Sequence, residues 1–169
     1  VGEAATALYK DAQEMLKRIV DEKLFNARGV VGLWPANRKG TDDIEVYADE
    51  SRTEVLETLH QLRQQANKPA GQPNYSLADF IAPKAGDHAD GKDDYMGAFA
   101  VTSGIEAENL AEIYKKDNDD YNNILMKALA DRLAEAFAEC MHAIVRNETW
   151  GYVSDTGLTN EELIKEKYQ

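Results

Sequence analysis

Residues 119–152, DDYNNILMKALADRLAEAFAECMHAIVRNETWGY, carry the longest unbroken helical period in the chain. Ile124, Leu125, Leu129, Leu133, Phe137, Cys140, Met141, Ile144 and Val145 recur at three- and four-residue steps, which puts them on one apolar stripe of an α-helix. That stripe is expected to be core, Cys140 included. On the other side Lys127, Asp131, Glu135 and Glu139 follow at four-residue spacing, so three acids become helical neighbours. Like charges so placed repel by roughly a few tenths of a kcal/mol per pair, and the row wants water, a cation or a basic partner. Ala128, Ala130, Ala134, Ala136, Ala138 and Ala143 favour the helix and keep its shaft thin. Another backbone or a ligand can therefore come close.

Upstream of this helix, SGIEAEN (103–109) is a polar turn that starts a helix bearing Leu110 and Ile113, and KKDNDD breaks it. YMGAFAVT (95–102) alternates as a strand, with Tyr95, Gly97, Phe99 and Val101 on one face. The other face, Met96, Ala98, Ala100 and Thr102, is small and is expected to pack under the central helix. At the start of the chain Ala5, Leu8, Ala12, Met15, Leu16 and Ile19 mark an amphipathic helix over residues 2–23. RGVVGLWP (28–35) then reads as a buried strand ended by Pro35, PANRKGTDD as a turn and IEVYA (44–48) as a strand antiparallel to the first.

Ser51 and Glu54 have capping-box spacing, so the chain is expected to be helical from there, with Val55, Leu56, Leu59 and Leu62 inward and His60 beside them in a structural role. KPAGQPN (68–74) is a loop, LADFIAP (77–83) an alternating strand and AGDHADGKDD (85–94) a polar, acidic loop. Thr159 and Glu162 form another capping box, opening a helix that stops soon afterwards with no closing signal. With no initiating Met either, the chain is expected to be a single domain cut from a longer protein. Four strands and five helices make an α+β domain: an antiparallel sheet with flanking helices and one long central helix.

The totals narrow the function. The 169 residues hold 19 Lys and Arg against 31 Asp and Glu, a formal charge of −12, which disfavours nucleic acid and anionic membranes as partners. A cationic ligand or a basic protein face suits it better. Cys140, the single cysteine, has no intrachain disulfide partner, which fits a reducing compartment. No apolar run approaches the roughly 18 residues of a membrane span and no leader opens the chain, so a cytoplasmic location is expected. His60, His88 and His142 lack metal-ligand spacing, and neither a nucleophile elbow, a Rossmann fingerprint nor a Walker loop is present. By residue chemistry alone, no metal and no catalytic residue is expected, and the acidic row is the one suggestive constellation.

A resemblance sharpens this. The strings RGVVGLWPANRKGTDDIEVYADESR, LRQQ, LADFIAP, YMGAFAVT, DDYNNILMKALADRLAEAFAE, WGY and NEELIKEKYQ, in this order over nearly the whole chain, resemble the activation domain of cobalamin-dependent methionine synthases. The resemblance implies a twisted antiparallel sheet with flanking helices that binds S-adenosylmethionine. It also implies packing over the cobalamin-binding module of the same parent chain, where the domain supports reductive remethylation of oxidised cobalamin. The electron would come from a flavodoxin-type protein or reductase. Two carboxylates match acids placed at the ligand in that family, Glu135 in LAEAFAE and Glu166 in LIKEKYQ, and Asp131 is implied to face the cobalamin module. In the family an upstream acid and a downstream Arg-Pro-Ala-x-Gly-Tyr segment hold the rest of the ligand, so these residues would form part of the wall of the site. The alternatives left by the residues themselves are a scaffold of the same fold that has lost the ligand, and an acidic interaction module.

Overall fold

The computed structural model describes residues 2–151, 158, 159, 161, 162 and 165. The chain divides into two compact units, residues 31–98 on the one hand and residues 1–30 with 99–169 on the other. Among the described residues there are three α-helices, α1 (Glu3–Asp21), α2 (Glu106–Lys116) and α3 (Asp120–Ile144). There are four strands, β1 (Arg28–Lys39), β2 (Asp43–Tyr47), β3 (Val55–His60) and β4 (Asp94–Thr102), in the sheet order β3-β2-β1-β4. The fold is α+β with an antiparallel sheet and one long helix, as the sequence implies.

In the unit of residues 31–98 the β1–β2 hairpin turns at Gly40, whose φ of 61° suits a residue without Cβ. Its register pairs Ala36 with Val46 and Lys39 with Asp43. β1 therefore runs through Pro35 rather than ending there, and its pairing with β2 begins one residue later, at Ala36. The segment expected to be helical after Ser51 is strand β3, pairing Asp43 with His60 and Glu45 with Thr58 across β2. Its capping box is replaced by a turn in which Asp49 Oδ1 accepts from Ser51 N at 2.8 Å and Arg52 takes φ 53°. His60, expected among apolar neighbours, is instead exposed with Nδ1 2.8 Å from Asp43 Oδ1.

LADF is a correction of the opposite kind, a 3-10 turn at Leu77–Phe80 rather than a strand. Asp79 Oδ2 accepts from Ser76 N at 2.9 Å and Ser76 Oγ from Ala78 N at 3.3 Å, a reciprocal cap that leaves no strand geometry. The turn drops Ala78 into a core with Ala36, Ile44 and Val46, against which Leu59, Ile81 and Met96 pack. The front of β1 was read as buried, yet Val30, Leu33 and Trp34 are exposed. The Trp34 ring folds back over Gly32, where a Cβ would stand 2.6 Å from Cζ2.

In the other unit α1 and α2 pack with α3 through Ile19, Ala111 and Met126, with Met15, Phe25, Leu110, Leu129 and Leu133 partly covered around them. Asp119 caps α3 by accepting from Asn122 N at 3.1 Å, and the buried Asn123 donates from Nδ2 to Ala111 O at 2.5 Å. The apolar stripe of α3 is narrower than its periodicity suggests. Leu125, Met126 and Met141 are buried, but Ile124 and Cys140 are exposed. The stripe spans more of the circumference than two neighbouring helices can cover, so its edge residues stay in water.

Ala98, Ala100 and Thr102, the small face expected to lie under α3, are exposed as well. It is at Gly29 that β1 meets α3: a Cβ there would stand 3.1 Å from Phe137 Cζ and overlap Met141 Cε. α3 ends in a π-turn over Val145–Thr149, closed by Trp150 N donating to Val145 O at 2.8 Å. Thr159 and Glu162 do form the expected capping box, with Thr159 N donating to Glu162 Oε2 at 3.0 Å. No helix among the described residues is long and apolar enough to cross a membrane.

Candidate functional site: the charged face of helix α3

Lys127, Asp131, Glu135 and Glu139 all face solvent. An uninterrupted helix sets them one turn apart, and none is drawn into the core. Among the described residues Glu135 is the one of the four with an ion-pair partner: Arg132 Nη1 lies 2.7 Å from its Oε2 and Nη2 lies 2.8 Å from its Oε1. The guanidinium fork thus covers both carboxylate oxygens from the preceding turn, although the side chains are 69% and 62% exposed.

Two clefts flank this face, both within the helical unit. The first, about 710 Å³, takes Lys127, Ala130 and Asp131 from α3 and sets them opposite Arg28 and the start of α2 at Glu106. Gly104, with φ 118°, allows a close approach there, since a Cβ would lie 2.5 Å from Glu106 Oε2 and 2.9 Å from Asn26 N. Glu106 Oε2 is buried and has no hydrogen-bond partner among the described residues. An acceptor so placed favours a ligand or partner that brings a donor. With two cations, Arg28 and Lys127, and the carboxylates of Glu106, Glu108 and Asp131 on its walls, the cleft suits a surface of mixed charge. The second cleft, also about 710 Å³, is mostly apolar and takes Leu133, Ala136 and Phe137 from α3 together with Ile19, Val20 and Phe25. Glu135 lines neither.

Of the two residues expected at a ligand, Glu135 is therefore found on an exposed helix face, reachable and paired only with Arg132, while Glu166 lies outside the described residues. Asp131 stands in the polar cleft one turn before Glu135. Glu106, Asn26 and Arg28 were not singled out by sequence reasoning. The nearest signal was the glycine of SGIEAEN, which marks a turn without revealing that two distant segments meet at it.

Residues 31–98 carry a separate polar cluster. Arg52, 3% exposed, donates from Nη1 to Asn37 Oδ1 at 2.8 Å and Asp94 O at 2.9 Å. Its guanidinium lies 5.2 Å from the Tyr95 ring centroid. The buried Tyr47 hydroxyl is pushed up to about 12, by desolvation first and then by its hydrogen bond to Glu45. Arg63 forks onto Asp79 at 2.7 and 2.9 Å while its Nε donates to Asp42. These cations are held by the protein's own acceptors, which is the pattern of structural hubs.

Fold and site together define an α+β module that presents solvent-facing carboxylates from a long helix beside a cleft lined by charged side chains. The whole chain, residues 1–169, matches the family of the vitamin B12-dependent methionine synthase activation domain, and it belongs to that family. Among solved structures it is similar to a crystal structure of the MetH reactivation domain bound to AdoHcy, with 57% identity and a TM-score of 0.86. The match covers 100% of this chain and 50% of that one, so the chain spans half the length of this relative.

Proposed function

We propose that this chain is the S-adenosylmethionine-binding part of a cobalamin-dependent methionine synthase, a methyltransferase of methionine biosynthesis, and that it supports reductive remethylation of oxidised cobalamin. The observation that carries this reading is the relative's ligand. A protein 57% identical over all of these residues holds AdoHcy, the thioether that S-adenosylmethionine becomes once its methyl group has left.

The chain's own residues fit a sulfonium. A positive sulfur needs an accessible carboxylate, and Glu135 has its oxygens at the surface rather than buried in a structural pair. Glu166 is the second carboxylate assigned to the ligand, on the strength of the family likeness. Bound S-adenosylmethionine supplies the methyl group, and what Glu135 contributes is charge complementarity. Asp131 and the polar cleft it lines belong, in this reading, to the docking of the cobalamin-binding module of the same parent chain. The electron comes from a flavodoxin-type protein or a reductase, the parent works in the cytoplasm, and these residues alone are inactive.

Titration calorimetry on the full-length parent tests the assignment. A charge pair at about 4 Å is worth about 1 kcal/mol in water, so Glu135→Gln should weaken S-adenosylmethionine binding at least about 5-fold, with reactivation falling in step. Unchanged affinity would return Glu135 to a merely solvated face. A wild-type parent that binds no S-adenosylmethionine would leave a scaffold of the same fold.

A further inference from the structure

The carboxylate assigned to the sulfonium is occupied from within its own helix. Arg132 addresses both oxygens of Glu135 at once, at 2.7 and 2.8 Å, and no other ion pair involves either residue among the described ones. A cation approaching Glu135 therefore meets an acid whose charge is already offset and whose accepting positions are partly filled. We infer that Arg132 is a positioning residue that sets how strongly this site prefers a positively charged ligand: it holds Glu135 in place when the ligand is absent and must yield the carboxylate to the sulfonium when it is present. This rests on the assignment of Glu135 made above.

Exposure decides the size of the effect. With Arg132 69% and Glu135 62% exposed, water screens the pair, and surface ion pairs of this kind are easily exchanged. Arg132 is thus a competitor that a ligand can displace. The bland alternative is that Arg132 only relieves repulsion along the Asp131, Glu135 and Glu139 row and steadies the helix. The two roles differ in sign. A helix-steadying role lets ligand binding weaken or stay constant when Arg132 is lost, without regard to the ligand's charge. A competing role makes a cationic ligand bind more tightly.

S-adenosylmethionine and S-adenosylhomocysteine make the measurement possible, because they share adenosine, amine and carboxylate and differ by one methyl group and the charge on sulfur. The ratio of their dissociation constants isolates the sulfonium contribution, and any effect of Arg132 on the common carboxylate cancels. In the full-length parent at low salt, Arg132→Gln should raise the preference for S-adenosylmethionine about 2- to 5-fold over wild type. Arg132→Lys, which keeps the charge, should bring it back towards wild type, and Glu135→Gln should shrink it. An unchanged or smaller ratio in Arg132→Gln, alongside a collapsed ratio in Glu135→Gln, would overturn the role of Arg132 and leave Glu135 standing. A wild-type ratio in Glu135→Gln would overturn the assignment of Glu135 itself, and the inference with it. Circular dichroism at 222 nm shows that each variant keeps its helix.

Discussion

In residues 31–98 the important cations point inward. Arg52 is 3% exposed, donates from Nη1 to Asn37, Ala36 and Asp94 and sets Nε and Nη2 against the carboxylates of Asp93 and Glu50, and Arg63 ties Asp42, Asp79 and the backbone of Thr41 and Asn74 together. In the helical unit the face from Lys127 to Glu139 does the reverse, since its core is made of Ile19, Ala111 and Met126 and its charges stand in water. Arg146 is the buried exception there. A charge taken out of water must be answered by the protein that buries it, and its bonding capacity is then used up. A charge left in water keeps that capacity for a ligand. Exposure thus leaves Glu135 accessible for the ligand role proposed for it, while Arg52 and Arg63 are committed to holding the fold.

The contrast breaks first at Arg52. Arg52→Met removes the donor to three acceptors inside the sheet unit and should cost about 3–5 kcal/mol. Urea denaturation would show this, and a midpoint within error of wild type would mean that the cluster is not a hub. On the helical side the stabilising part is apolar, so Met126→Ala should cost about 2–5 kcal/mol and Leu133→Ala, only partly covered, clearly less. Equal losses at the two positions would show that the stripe of α3 is buried more evenly than the structure has it.

Acid titration sharpens the comparison further. The Arg63 fork first, and the Ser76 N–H second, hold the Asp79 carboxyl well below the usual carboxylate range. Stability gained from a depressed carboxylate is fully present above its unfolded value of about 4 and is lost as pH falls through the lower folded value. Stepwise urea midpoints should therefore fall less steeply below pH about 4 in Asp79→Asn than in wild type, from a lower starting point at neutral pH. Parallel acid limbs would remove Asp79 from the structural set. The smallest stability effect belongs to Glu135→Gln, expected within about 0.5 kcal/mol of wild type while ligand affinity drops. A large loss of stability there would place Glu135 among the structural groups and end the distinction.

Legibility in the sequence follows the same divide. Glu135 could be proposed from the sequence because its neighbours in the row are its neighbours in the chain, and because the motif around it resembles a family. The polar cleft could not, since Asn26 and Arg28, Glu106, and Asp131 come from three separate places and only the fold assembles them. Arg52 showed no signal either: a lone arginine after a serine reads as surface until Asn37 and Asp94 close around it.

What the sequence determined by itself was local. The period of α3, the cap at Thr159 with Glu162, and the hairpin at Gly40 all rest on residues within a turn or two of one another. What tertiary structure decided was anything that two patterns fit equally well. VLETLH follows a capping-box spacing at Ser51 and Glu54 and carries a helical apolar step, yet its β-branched and leucine residues also suit a strand, and pairing with β2 from Asp43 to Tyr47 chose the strand. Cys140 lies on the apolar stripe but at its edge, and which edge is covered depends on where α1 and α2 pack. Periodicity is a property of neighbouring residues. Burial is a property of the partners the chain brings back from far away, and no local window contains them.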